Sequence, residues 1–268
     1  MQLQNANENT LLIRCGGEVG DAGRAQQWGS DRISWDLAMK LESVNENTLL
    51  LNLGNEIGDA VAGRVRQVLD VIRRELADVV IDLVPSYTSI LLSFDLRRID
   101  RLGMQSRLGI LLQQLERAED TPPVAREVVL PVYYGPEVAL DMAEICQHLG
   151  LSADEVVDLH SRLSYRVYAI GFSPGFAFLG NTDPRLCMPR KATPRLKVPS
   201  GSLGIADNQT AIYPSVTPGG WQLIGRTPRP MIDWNSASLA LVEVGDRVRF
   251  EPVSREDYLK LGGRFDEL

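Results

Sequence analysis

Cysteine and histidine are scarce in this sequence of 268 residues. It has three cysteines (Cys15, Cys146 and Cys187) and two histidines. The cysteines are widely spaced, form no Cys-x-x-Cys pair and have no paired histidines near them. The sequence therefore indicates neither a zinc site nor a disulfide framework. We expect no bound metal, and reduced thiols that fill small spaces in the core of a cytoplasmic protein.

The chain also has fewer basic than acidic residues, and it lacks long apolar runs. Lys+Arg number 28 against Asp+Glu 35, a net charge of 28 − 35 = −7, which argues against general nucleic-acid binding. No apolar run approaches the roughly 18–20 residues that span a bilayer, and the polar start does not resemble an export signal. With 44% hydrophobic residues, the chain has enough apolar surface to fold, as two domains or one large one.

The N-terminal region contains a repeat. Residues Asn7–Ala22 match Asn45–Ala60 at 11 of 16 positions, and only the second copy continues into an amphipathic helix. We therefore interpret residues 1–40 as an extension with a partial strand duplication that adds to a sheet edge or pairs with a neighbouring molecule. Its glycine-rich stretch lacks the Lys-Ser/Thr ending of a phosphate-binding loop, which favours a simple turn.

The hydrophobic pattern after the second copy predicts the order β-α-β-β-α-β. This order is typical of a ferredoxin-like α/β domain, which we place at residues 41–125, before a polar, proline-rich boundary. The predicted strands and helices are Thr48–Leu53, Asp59–Ala77, Val79–Val84, Thr88–Phe94, Asp100–Glu116 and Glu127–Tyr134.

The second half of the chain has a different pattern. Two short helices are predicted first, and the second opens with Ser152 and Glu155, which can form a capping box. Short apolar runs separated by glycine and proline follow, and they predict a compact barrel or sandwich over residues 126–268. A terminal helix is expected at Ser254–Leu261.

A basic loop stands out against the acidic background. Between Asp183 and Asp207 there are five basic residues and no acidic one. The segment is either a solvated loop stiffened by proline or an anion site, in which fixed backbone and cationic side chains hold a carboxylate or phosphate. The basic residues are Arg185, Arg190, Lys191, Arg195 and Lys197.

Three motifs around this loop carry a family resemblance. They are GFSPGFAFLG from Gly171, TPRLKVPSGSLGIADNQTAIYP from Thr193 and TPGGWQLIGRTP from Thr217. Together they resemble the family of the B-type subunit of 5-oxoprolinase, whose members are also called kinase inhibitor KipI or allophanate hydrolase subunit 1. The match is dense over some 60 residues, whereas residues 1 to about 40 depart from the family.

This resemblance implies an α+β fold, with an N-terminal α/β domain followed by a cyclophilin-like β-barrel. It also implies a hydrolase component that is inactive alone. With a homologous C-type barrel subunit and an A-type subunit, it would open 5-oxoproline to L-glutamate using ATP, and magnesium would arrive with the nucleotide. Phosphorylation of the lactam oxygen would make a good leaving group, and the developing charge would need fixed donors.

Site residues follow from the resemblance in the same way. Arg195 and Lys197 would hold the substrate carboxylate or the ATP phosphates. His160 is the candidate acid or base, and its alternative role is a histidine that interacts with the dipole of its helix. The Ser200–Ser202 backbone could donate N–H groups. The remaining candidates, which are either pocket walls and polar contacts or structural residues, are Phe172, Pro174, Gly175, Phe176, Pro199, Gly201, Ser202, Gln209, Thr210, Gly219, Gly220 and Trp221.

Two other functions stay open at this point. Members named KipI inhibit a sensor histidine kinase, so a regulatory binding protein is the main alternative to an enzyme component. A prolyl isomerase is suggested by the expected barrel alone, and fold analogy does not carry activity.

Overall fold

The computed structural model describes residues 2–7, 10–14, 39–117, 125–235 and 239–265. It has a mixed α/β architecture in which most strands pair antiparallel and helices are few. The chain divides into two compact units, residues 1–123 and 124–268. The glycine-rich stretch of the first repeat copy lies outside the described residues.

The sequence repeat in the first unit is a repeated β-hairpin. Strands β1 (Gln2–Asn7) and β2 (Thr10–Arg14) form one hairpin, and β3 (Met39–Asn45) and β4 (Thr48–Asn52) form the other. Asn7 pairs with Thr10 in the first hairpin as Asn45 pairs with Thr48 in the second. The two hairpins pair through β2 and β3, so the extra copy lengthens the sheet by two strands.

The rest of the first unit follows the predicted elements closely. They are α1 (Asp59–Glu75), β5 (Val80–Ser86), β6 (Ser89–Phe94) and α2 (Arg101–Arg117). The sheet order is β1-β2-β3-β4-β6-β5, with all neighbours antiparallel. The described core packs the apolar faces of α1 and α2 against this sheet, from Met39 to Leu115.

The strand expected to complete a ferredoxin-like domain pairs elsewhere. This strand, β7 (Glu127–Val132), runs parallel to β15 (Arg247–Pro252) within the second unit. In the first-unit sheet, the position beside β4 is filled by β3, a strand that the sequence pattern did not predict. The ferredoxin-like arrangement is therefore not confirmed, because partner choice between distant strands is not encoded in local periodicity.

The second unit contains the short helices and many short strands that were predicted. Its main sheet runs β7-β15-β8-β9-β12-β11-β14, and β10 pairs with β13 separately. The other elements of the unit are α3 (Met142–Leu149), α4 (Ala153–Ser161), β8 (Ser164–Ile170), β9 (Ala177–Gly180), β10 (Arg195–Val198), β11 (Ser202–Ala206), β12 (Gln209–Ile212), β13 (Thr217–Gly219), β14 (Gln222–Arg226) and α5 (Arg255–Lys260).

No closed barrel forms among the described strands. Between β14 and the residue after β7 there is one antiparallel bridge, in which the backbones of Tyr133 and Arg226 exchange hydrogen bonds of 2.9 and 2.8 Å. The capping box of α4 is confirmed, since Ser152 and Glu155 bond each other's backbone N–H. Within the described residues, no helix is long and apolar enough to cross a membrane.

Removal of the first hairpin tests whether the second copy of the repeat is the one that the core of the first unit needs. A chain that begins at Met39 should unfold cooperatively, within a few degrees of the full chain, because the described core of this unit starts there. A chain that begins at Thr48 should be several kcal/mol less stable, because it loses the buried Met39 and Leu41. Thermal unfolding followed by circular dichroism checks both, and an unfolded Met39 chain would show that the copies are assigned in the wrong order.

Candidate functional site

An aromatic pocket of about 370 Å³ opens on the second unit. This volume lies within the range of roughly 300–1,000 Å³ typical of small-molecule sites. Its lining includes two basic residues and no acidic one, in a chain of net charge −7. The lining residues are Phe172, Phe176, Phe178, Arg190, Lys191, Pro194, Tyr213, Pro218, Gly219, Gly220 and Trp221.

Phe176 lies at the centre of the aromatic wall. Its ring meets Trp221 and Tyr213 edge to face, with centroid distances of 5.7 and 5.2 Å. This geometry is favoured by the ring quadrupoles and fixes the wall. Phe172 also contacts Phe176 but is 66% exposed, so it stands at the mouth. A Cβ on Gly219 would lie 2.4 Å from the Tyr213 hydroxyl oxygen, so only glycine fits this wall.

Beside the pocket, a buried carboxylate joins three separate segments. Asp141 is the residue before α3 and is only 3% exposed. Its oxygens accept two hydrogen bonds from the Arg195 guanidinium, at 2.8 and 2.7 Å, and one from Lys191 Nζ at 2.9 Å. They also accept the backbone N–H of Leu223 on β14, at 2.7 Å. The carboxylate thus holds the start of α3, the basic loop with its strand β10, and β14 in one arrangement.

Charge pairing outweighs burial at this carboxylate. Burial by itself raises the pKa of Asp141, but hydrogen bonds from Arg195, Leu223 and Lys191 lower the pKa below its usual value. The hydrogen bonds to Asp141 and Glu144 in turn raise the pKa of Lys191. Asp141 is therefore ionised and Lys191 protonated at neutral pH, and the cation stays fixed beside the pocket.

Two cations at the pocket remain able to bind a ligand. Asp141 and Glu144 take two of the three N–H donors of Lys191, which leaves the third available. Arg190 is largely exposed, and its one ion pair within the described part of the chain is a long 3.9 Å contact with Asp207. Such a pocket suits a small anion with an apolar body, whose charge faces the rim and whose body packs on the rings.

The structure brings five sequence-predicted residues together in this pocket. Phe172, Phe176, Gly219, Gly220 and Trp221 all line it. Pro174 and Gly175 lie in the turn between Phe172 and Phe176, where Gly175 has φ +76°, and neither lines the pocket. Their assignment as ligand contacts stays a prediction.

The two residues that were predicted to bind an anion, Arg195 and Lys197, lie in different surroundings. The Arg195 guanidinium is bonded in bidentate fashion to Asp141, so it organises the wall rather than facing an open cavity. Lys197 is exposed and lines neither of the cavities described here. The adjacent cations that do line the aromatic pocket are Arg190 and Lys191, which the sequence counted in the basic loop without assigning them a role.

His160 lies in the core of the second unit. It is fully buried, its ring nitrogens lie 2.9 Å from the Tyr134 hydroxyl and the Thr210 hydroxyl, and it stacks on Tyr165 and Phe250. Burial lowers the pKa of His160 from 6.5 to about 3. A neutral, enclosed imidazole gives no support to the acid or base role, nor to a charged interaction with the helix dipole.

In the Ser200–Ser202 segment, two of the three backbone donors are engaged within the protein, and the predicted donor role of the segment stays a prediction. The N–H of Gly201 donates to Tyr213 O at 2.7 Å, and that of Ser202 donates to Pro199 O at 3.2 Å. Pro199 is buried there. Gly201 lines a second cavity instead of the aromatic pocket.

On the neighbouring strand β12, Thr210 is buried, and its hydroxyl donates to Gly204 O at 3.0 Å. Gln209 pairs with Gly180 in the sheet. Neither residue lines the pocket, and their proposed contacts to a polar ligand group stay predictions.

Sequence reasoning missed Asp141 and Tyr213. Tyr213 lies inside the second motif but was given no role, whereas Asp141 lies outside all three motifs, and a single aspartate before a helix has no distinctive spacing. The cluster of cations between 185 and 197 was the available signal, because buried or partly buried cations require a carboxylate nearby. Among the described residues, no group of three or more His, Cys, Asp or Glu could hold a metal ion.

Comparison with known proteins assigns the family. The model for "Carboxyltransferase domain, subdomain C and D" matches residues 39–242. The chain belongs to this family. The matched region begins at β3 and includes the whole aromatic pocket, whereas the first hairpin lies outside it.

Curated members of the family include two bacterial relatives, each named as the B-type subunit of 5-oxoprolinase. One, from Bacillus subtilis (strain 168), is 39% identical over 186 residues, covering 66% of this chain and 78% of the relative. Another, from Escherichia coli O157:H7, is 40% identical over 173 residues, covering 65% and 78%. Nothing in these names favours the kinase-inhibitor alternative.

Solved structures agree with this family assignment. A crystal structure of TTHA0988 matches with a TM-score of 0.69 and 34% identity, covering 78% of this chain and 40% of that one. The chain thus spans less than half the length of this structural relative. The crystal structure of the Kluyveromyces lactis urea carboxylase matches with a TM-score of 0.64 and 16% identity. The match covers 86% of this chain and 23% of that one, and it shows similarity of fold alone.

The buried histidine predicts a pH dependence of stability. Because the pKa of His160 is about 3 when folded and near 6.5 when unfolded, the unfolded state binds more protons between these values. The neutral His160 side chain therefore contributes to the free energy of unfolding in full above about pH 6.5. This contribution is lost as the pH falls towards 3, by about 2 kcal/mol between pH 7 and pH 5. Urea unfolding at both pH values should show this loss in the wild type but not in His160→Gln. An equal loss in the variant would contradict the enclosed, neutral imidazole.

Proposed function

We propose that this chain is the B-type subunit of an ATP-dependent 5-oxoprolinase, which opens 5-oxo-L-proline to L-glutamate. The observation that carries the proposal is the aromatic pocket with Lys191 fixed at its side by Asp141. The names of the relatives at about 40% identity support the same reaction.

The substrate has chemical features that this pocket can bind. 5-Oxoproline is a small five-membered lactam with one carboxylate. We assign the ring to the wall formed by Phe176, Phe178 and Trp221, and the carboxylate to Lys191 and Arg190. Charge-assisted hydrogen bonds from fixed cations give both affinity and orientation. The lactam oxygen would then point out of the pocket, towards the ATP-dependent chemistry.

Other components are part of this proposal. Ring opening with ATP needs a nucleotide site, together with the homologous C-type subunit and the A-type subunit that the family resemblance implies. ATP with magnesium enters as a co-substrate of the complex, and this chain alone would be inactive. We also propose that the second unit has a cyclophilin-like architecture, an incompletely closed barrel whose gap is spanned by the single Tyr133–Arg226 bridge, and that the assembly is cytoplasmic.

Reconstitution tests the proposal at a single residue. This chain is combined with its A-type and C-type partners, and glutamate release from 5-oxoproline is measured with and without ATP. Lys191→Met should lower kcat/KM by about ten- to hundredfold, because a hydrogen bond to a charged group contributes about 1.5–3 kcal/mol. Lys191→Arg, which keeps the charge, should retain more activity.

Control variants separate binding from folding. Lys260→Met removes an exposed lysine of α5 that pairs with Glu256, and it should leave turnover unchanged. Lys197→Met is measured beside it, because the family resemblance predicted that lysine at the site. Each variant's melting temperature is recorded. Full activity of a folded Lys191→Met complex, or loss only in Lys197→Met, would contradict the assigned pocket.

A further inference from the structure

A second cavity, of about 250 Å³, lies in the same unit and is not used by the proposed reaction. It is formed by the turn before β11, the segment after β14 and the region that follows α5. Among the described residues, three arginines line it and no acidic residue does, so the described lining is strongly cationic. The lining residues are Ser200, Gly201, Arg226, Thr227, Pro228, Arg229, Pro230, Tyr258, Gly262, Gly263 and Arg264.

The wall of this cavity contains a buried arginine without a counter-ion among the described residues. Arg226 is 2% exposed, and its Nη1 donates to the backbone oxygen of Arg264 at 3.1 Å. Its Nε and Nη2 have no acceptor in the part of the chain that the structure describes. A guanidinium stays charged at any ordinary pH. A buried charge without a partner is costly, so an anion bound beside Arg226 would be strongly stabilised.

The cations at the rim can complete such a site. Arg229 and Arg264 are exposed and line the cavity together with Arg226. The acidic residues of the nearby helix α5 are engaged elsewhere. Asp257 accepts a hydrogen bond from the Ser254 hydroxyl, and Glu256 pairs with Lys260.

The backbone around Arg226 is fixed before any ligand binds. Gly201 has φ +77°, and a Cβ there would lie 2.5 Å from the carbonyl oxygen of Thr227. The N–H of Thr227 donates to Gly201 O at 2.9 Å, which closes the turn against the end of β14. On the other side, the Tyr258 hydroxyl donates to Arg264 O at 3.0 Å. A preorganised wall lowers the entropy lost on binding.

We propose that the cavity walled by Arg226, Arg229 and Arg264 binds a small-molecule anion that carries a carboxylate or phosphoryl group. Planar guanidinium groups bind both kinds of oxyanion in bidentate fashion. The site is separate from the aromatic pocket, since the two linings share no residue. It therefore stands or fails independently of the 5-oxoprolinase proposal.

Titration of the full chain tests this second site. Inorganic phosphate and L-glutamate are each titrated at constant ionic strength, with sodium chloride as the reference, and binding is followed by calorimetry and by melting temperature. The phosphoryl and carboxylate probes distinguish the two sources of the oxyanion. We expect saturable binding of at least one probe, with an increase in melting temperature that chloride does not reproduce.

Substitutions locate the binding. Arg229→Gln, at an exposed position, should weaken binding at least tenfold without loss of folding. Arg226→Met should abolish binding and melt no lower than the wild type without anion, because it removes an uncompensated buried charge. Arg249→Gln removes another exposed arginine of the same unit, outside the cavity lining, and should bind as the wild type does.

Three results would overturn the proposal. One is the absence of saturable binding to the wild type, and another is equal binding by the wild type, Arg226→Met and Arg229→Gln. The third concerns the acidic residues Asp266 and Glu267 at the end of the sequence. If a chain that ends at Phe265 binds the probes and the full chain does not, the chain's own carboxylates are the anion and the small-molecule site is wrong.

Discussion

The ionised side chain of Asp141 holds together the segments that form the aromatic pocket. Removing a carboxylate from water costs several kcal/mol, and only partners placed around it together offset that cost. Here these partners come from two positions in the basic loop, the second of them on β10, and from the backbone of β14. The same loop is tied to the pocket wall by the Lys191 N–H, which donates to Gly220 O at 2.7 Å. The charge of Asp141 and this backbone hydrogen bond together position Lys191 at the pocket.

Local elements could be predicted from the sequence because their signals are local. The spacing of apolar residues identified α1 and α2, and the Ser152–Glu155 pair identified the start of α4. Strand partners were not predictable, since β7 joins β15 more than a hundred residues later. The aromatic residues of the glycine-rich motifs were expected at a pocket wall, and five of the predicted residues do meet there.

Residue type alone was a poor guide to the chemistry of the candidate site. A histidine is the usual choice for proton transfer, yet His160 is enclosed by tyrosine, phenylalanine and threonine and stays neutral. Arg195 and Lys191 belong to one basic loop, but Asp141 binds both terminal nitrogens of Arg195 and takes only one donor of Lys191. Burial and pairing decide which cation can meet a ligand, and both depend on the tertiary fold.

A double-mutant cycle on Asp141 and Arg195 measures this organising interaction most directly. The free energy of unfolding is determined for the wild type, Asp141→Asn, Arg195→Gln and the double variant, with the exposed Glu256–Lys260 pair as a reference cycle. We predict a coupling energy of about 1–3 kcal/mol for the buried pair, against about 0.5 kcal/mol or less for the reference. If the changes in the free energy of unfolding caused by Asp141→Asn and Arg195→Gln sum to that of the double variant within about 0.3–0.5 kcal/mol, the two residues are not coupled and the organising role of Asp141 is contradicted.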